Sequence, residues 1–161
     1  MRLAVVSDTH GHLGNTRAAI RLLEELDVAQ VLHCGDIGSV DIIPLFSHWP
    51  THFVFGNVDH DEYELGQAIT DAEQTCQHRF GQLELEGVRI AFLHSDDGQL
   101  FRQTISSGEW DLVCYGHTHA AEQHREGPTL VLNPGALFRA TPHQLAIVEI
   151  PSLIATHHIV R

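Results

Sequence analysis

Apolar residues fall in short unbroken runs that stop abruptly at small or polar ones: Leu3-Ala4-Val5-Val6 before Ser7-Asp8, Val31-Leu32 before His33, Phe53-Val54-Phe55 before Gly56, Ile90-Ala91-Phe92-Leu93 before His94, and Leu112-Val113-Cys114-Tyr115 before Gly116. Short continuous runs of this kind are expected of strands buried on both faces. Between the first three the period lengthens to that of a helix. Ile20, Leu23 and Leu26 share one face of a helix predicted over 15–27, with Asn15 or Thr16 as cap, and Val40, Ile43 and Phe46 line a shorter one over 39–47. With strands at 2–7, 30–33 and 52–55 the order is β-α-β-α-β, which predicts a parallel sheet.

Downstream the pattern changes. Phe80, Leu83 and Leu85 within 79–86 lead through Glu86-Gly87 into 88–93, a hairpin signature. A helix around 97–107 and a strand over 111–115 follow. Strands are then predicted at 122–126, 129–132, 144–150 and 153–160, separated by Gly127-Pro128, Asn133-Pro134-Gly135 and Pro151. The predicted fold is α/β, with two packed mixed β-sheets flanked by helices. No repeat or linker divides the chain, and 161 residues suit one domain over 1–161.

Composition narrows the function classes. The net charge is −12 with no lysine, which disfavours extended nucleic-acid binding, since that needs clustered cations to neutralise phosphates. No apolar run approaches the ~20 residues of a membrane span, and the N-terminus lacks the pattern of a secretory signal. Cys34, Cys76 and Cys114 are odd in number and without metal spacing, as suits a reducing cytoplasm. The acidic run Asp59, Asp61, Glu62, Glu64, Asp71 and Glu73 reads as a solvated loop or helix face. Seven of the 14 histidines, His10, His12, His33, His60, His94, His117 and His119, lie near strand ends, and the other seven, the His157/His158 pair included, read as surface.

Chemistry enters where the strands end. Asp8 and His10, Asp36, Asn57, His94, and His117 with His119 each follow an apolar run. In open α/β sheets ligands bind beyond the carboxyl ends of strands, so five such clusters predict one shared metal centre. Four imidazoles, two carboxylates and one carboxamide suit borderline transition metals, Mn²⁺ first, with Fe²⁺, Zn²⁺ or Ni²⁺ as alternatives. Two such ions ~3.5–4 Å apart hold a bridging hydroxide for in-line attack at phosphorus, so the predicted reaction is phosphoester hydrolysis on a small substrate.

The ordered series SDTH, GD, GN, H and GHTH, with the tail NPGA at 133–136, resembles the calcineurin-like metallophosphoesterase superfamily, in its small branch of bacterial and archaeal phosphodiesterases. The resemblance implies a four-layer αββα sandwich. It implies that Asp8, His10, Asp36 and His119 bind one metal and that Asp36, Asn57, His94 and His117 bind the other. Larger members carry GNHE, whose histidine assists the leaving group, but Val58 occupies that position here. Asp36, Asn57 and, as a stand-in acid, His60 are the candidates to act at the reacting centre. The branch also resembles a retromer subunit that uses the fold as an interaction platform, so a non-catalytic metal-binding scaffold is the alternative, with a phosphomonoesterase third. Self-association is left open.

Overall fold

The runs that read as buried strands become the middle of two sheets. A computed structural model describes residues 1–161. In chain order the elements are β1 (Arg2–Val6), α1 (Leu13–Glu25), β2 (Gln30–His33), a 3₁₀ segment (Val40–Phe46), β3 (Thr51–Phe53), α2 (Glu62–Asp71), β4 (Thr75–Cys76), β5 (Phe80–Leu85), β6 (Val88–Leu93), α3 (Gly98–Ser106), β7 (Leu112–Tyr115), β8 (Glu122–Glu126), β9 (Thr129–Asn133), β10 (Gln144–Glu149) and β11 (Ile154–Ile159). One sheet has the order β11-β10-β1-β2-β3-β4, the other β5-β6-β7-β9-β8. Both are mixed: β1 to β4 run parallel with β10 antiparallel beside β1, and β6, β7 and β9 run parallel between antiparallel β5 and β8.

Successive strand residues point to opposite faces, so each central strand serves two cores. Leu3 and Val5 of β1 join Leu32, Phe92, Leu112 and Leu132 between the sheets. Ala4 and Val6 turn the other way, under Leu23 of α1, Phe46 of the 3₁₀ segment and Ile69 of α2. Beyond the second sheet, Ala91, Leu93 and Val113 pack against Leu100, Phe101 and Ile105 of α3. The layers are therefore helices, sheet, sheet, helix.

Local departures from the sequence expectations have physical causes. Helix α1 begins two residues early because the His12 imidazole accepts the Asn15 N–H at 3.1 Å and serves as cap, freeing the Asn15 amide to bond Leu137 O at 2.7 Å. The second predicted helix is a 3₁₀ segment, with Pro44, which has no N–H to donate, inside it. The acidic run is not all solvated. It contains α2, capped by Asp61 and anchored by buried Leu65 and Ile69, and Asp59 is buried. His157 is half-buried and donates to Asn133 O at 2.7 Å, so it is not a surface residue.

His33 lies in the core rather than at the site. Its ring stacks on Phe53 at 5.4 Å and meets Phe46 edge-on. Thr9 Oγ1 donates to Ile37 O at 3.0 Å, so His33 Nε2, also 3.0 Å from that hydroxyl, carries the hydrogen and Nδ1 is left without a partner. Burial holds the His33 pKa near 4, below the ordinary histidine value of 6.5. The unfolded chain therefore binds a proton that the folded one refuses: the stabilising effect is complete above about pH 6.5 and is lost as pH falls toward 4. Urea unfolding of the metal-free protein should show His33→Gln flattening the loss of stability between pH 7 and 4 by about 3 kcal/mol. Parallel pH profiles for the two proteins would refute this reading.

Candidate metal centre

All seven candidate ligands emerge at one end of the two sheets, from loops after parallel strands. The first sheet supplies Asp8 and His10 after β1, Asp36 after β2 and Asn57 beyond β3; the second supplies His94 after β6, and His117 and His119 after β7. His10 Nε2 lies 3.3 Å from Asp36 Oδ2, and His94 Nε2 lies 3.1 Å from the same oxygen. His119 Nε2 is 3.1 Å from Asp8 Oδ1. Asn57 Oδ1 is 3.1 Å from both His94 Nε2 and His117 Nδ1. Two compact groups of metal-competent atoms result, Asp8/His10/His119 and Asp8/Asp36/His94.

Hydrogen bonds around the cluster determine which nitrogens face inward. A carbonyl oxygen can only accept, so Cys34 O, 2.8 Å from His94 Nδ1, places the ring hydrogen there and leaves Nε2 bare. Arg139 O does the same for His119 at 3.4 Å. Bare nitrogen lone pairs then confront carboxylate and carboxamide oxygens about 3.1 Å away, a repulsive arrangement unless a cation or proton lies between. Asp8 Oδ1 and His10 Nε2 are buried without hydrogen-bond partners, as befits atoms kept for a metal. Such a donor set fits divalent transition ions.

Titration follows the same field. Asp36, then Asp8, raises the His10 pKa to about 9. Burial acts to lower His94, but Asp36 and Asp8 raise it on balance. Burial also pushes Asp36 upward, yet His10 and His94 hold it far below the carboxylate range. Protons thus seek the positions that fit a metal.

The backbone is strained where the candidate ligands sit. Asp8, His10, Asp36, His117 and His119 have φ of 56°, 44°, 54°, 72° and 61°, in the left-handed region. Non-glycine residues there are uncommon and concentrate at functional sites. Close approach of the loops depends on glycine. A Cβ on Gly56 would stand 2.1 Å from Asp36 Oδ1 and 2.5 Å from Asp36 N. Gly56→Ala should therefore cost about 10–100-fold in metal affinity, as measured by metal titration. Gly66→Ala, whose Cβ meets nothing closer than 3.8 Å, is the control. Wild-type affinity in Gly56→Ala would refute the close-approach account.

Asp59 is the member of the site that the sequence reading missed. Its carboxylate accepts three backbone N–H groups, from Ile37 at 3.1 Å, Gly38 at 2.9 Å and Gly56 at 2.8 Å, and so ties the Asp36 loop to the Asn57 loop. Burial raises its pKa, and those three donors oppose the rise. His60 is exposed, and its side chain has no hydrogen bond to the cluster. Val58 contributes its N–H to Asp36 Oδ1 at 3.0 Å.

The calcineurin-like phosphoesterase superfamily domain matches residues 1–152. The chain belongs to this superfamily. Phosphodiesterase MJ0936 of Methanocaldococcus jannaschii is 32% identical to it over 138 residues, which span 84% of this chain and 83% of the relative. The solved structure of a novel archaeal phosphodiesterase superposes with a TM-score of 0.91 at 27% identity, covering 99% of each chain. YfcE, a phosphoesterase from E. coli, shares the fold at a TM-score of 0.70 and 17% identity over the full length of both. The superfamily and its two-sheet sandwich are those the ordered motifs implied.

Proposed function

We propose that this superfamily member is a two-metal phosphodiesterase acting on small substrates. The observation that carries the reading is the convergence of seven donors, with bare imidazole nitrogens aimed at carboxylate oxygens and two buried atoms left unpartnered. Asp8, His10, Asp36 and His119 would hold one ion, and Asp36, Asn57, His94 and His117 the other. Asp36 Oδ2 lies 3.3 Å from His10 Nε2 and 3.1 Å from His94 Nε2, one histidine of each proposed set, which supports a carboxylate that would serve both ions. When bound, two such ions supply a nucleophile from water at neutral pH and stabilise charge on the phosphoryl oxygens. Mn²⁺ is the first choice of ion, and three cysteines free of disulfides are compatible with the cytoplasm.

The chain's own residues orient this chemistry. Cys34 O and Arg139 O fix the tautomers of His94 and His119, Val58 N–H holds Asp36 Oδ1, and His117 N–H holds Asp8 Oδ2 at 3.1 Å. A diester is favoured over a monoester because the half-buried aliphatic Val58 offers no proton to a leaving group. The test combines metal analysis with turnover. Chelation should abolish hydrolysis of an aryl phosphodiester while the near-UV circular dichroism persists, because the apolar cores do not include the ligands, and Mn²⁺ should restore the rate. A metal-free protein that keeps its activity would overturn the reading, and collapse of the dichroism would make the metals structural. The scaffold alternative has no observation in its favour: all seven positions hold competent ligands.

A further inference from the structure

An anionic ester approaching this centre meets a chain with a net charge of −12 and nine cationic side chains, all arginine. Arg2, Arg79 and Arg89 are already paired with carboxylates. Arg139 is exposed, has no carboxylate partner, and is joined to the site in two ways. Its carbonyl oxygen faces His119 Nδ1 at 3.4 Å. Its guanidinium lies 5.2 Å from the centroid of the Phe138 ring, and that half-buried ring stands 5.1 Å from His10 at a 31° tilt and 6.0 Å from His12. Phe138 thus bridges a candidate ligand and a free cation. Arg139 also has φ +48°, a costly conformation for a long side chain that persists only where the surroundings impose it.

We propose that Arg139, propped on Phe138, is the residue that orients the substrate's phosphate. Its planar fork donates to non-bridging phosphoryl oxygens while the ring beneath limits its rotamers. Arginine suits this task because two parallel N–H groups match two phosphoryl oxygens, and stacking on an aromatic face lowers the entropy cost of ordering it. In so acidic a protein the local cation also offsets the long-range repulsion of an incoming anion. The inference rests on the phosphoesterase reading for its substrate but not for its anion.

The test uses the Mn²⁺-loaded protein and its Arg139→Gln, Arg139→Lys and Phe138→Leu variants. Arg139→Gln should raise KM for an aryl phosphodiester about tenfold or more, lower kcat less, and weaken inorganic phosphate binding measured by calorimetry by a similar factor. Metal content should not change, since only the backbone of Arg139 touches a ligand. Arg139→Lys should recover part of the loss, because lysine keeps the charge without the fork, and Phe138→Leu should show a smaller KM increase. Unchanged KM and phosphate affinity in Arg139→Gln would overturn the proposal. So would loss of metal from that variant, which would place its effect in the support of His119. An unmodified protein that turned over no phosphoester would defeat the hydrolase reading alone, while the phosphate calorimetry would still decide for or against Arg139.

Discussion

Asp36→Asn should lose both metal and turnover, with kcat/KM falling about 10³-fold, and should be more damaging than His10→Gln or His94→Gln. Asp36 is almost fully buried, and its Oδ2 lies between His10 at 3.3 Å and His94 at 3.1 Å while Oδ1 accepts Val58 N–H at 3.0 Å. Asparagine preserves the shape and can still accept from Val58. It removes the negative charge shared by both proposed ligand sets, so the two ions should lose affinity together. Each histidine belongs to one set only, and its loss should leave the other partly occupied. Metal content by mass spectrometry beside steady-state kinetics on the three variants decides the matter. Full occupancy with undiminished turnover in Asp36→Asn would remove the bridge from the assignment.

The rate should fall steeply as the leaving group becomes more basic. Proton delivery by a positioned acid is worth ~10²–10⁴-fold, and it matters most when an alkoxide must depart. The position where the larger relatives are inferred to place a histidine is Val58, whose side chain has no proton to give, and His60 is exposed with no side-chain bond into the cluster. Aryl phosphodiesters should therefore be turned over readily and alkyl phosphomonoesters poorly. Val58→His should recover part of the monoesterase activity. The measurement is kcat/KM over leaving groups of graded pKa for both ester classes. A flat series, or a preference for alkyl monoesters, would show that another residue supplies the acid, with His60 the first to substitute.

What could be read from sequence was whatever is encoded by neighbours along the chain. Runs such as Ile90–Leu93 and Leu112–Tyr115 declared buried strands because both faces of each strand are covered, and the candidate ligands stood out because each comes within four residues of a strand end. Hidden features depend on neighbours in space. Asp59 sits in an acidic run, and nothing local shows that it meets the N–H groups of Ile37, Gly38 and Gly56. Helix α2 buries only Leu65 and Ile69, too few for a clear period, and β4 is two residues long. Phe138 and Arg139 carry no motif, because their relation to His10 and His119 arises only where the β9–β10 connection packs beside those two residues.

The left-handed backbone at Asp8, His10, Asp36, His117 and His119 also bears on the stability of the loops that carry them. Glycine adopts that conformation with no steric penalty, whereas other residues held there carry about 1–3 kcal/mol of strain each, with aspartate and histidine at the tolerant end. Each of these side chains lies outside the apolar cores, so its replacement by glycine would relax the loop and leave the cores untouched. Glycine at any of the five should therefore relax the metal-free loops while removing a candidate donor, so local stability and metal binding pull these positions in opposite directions.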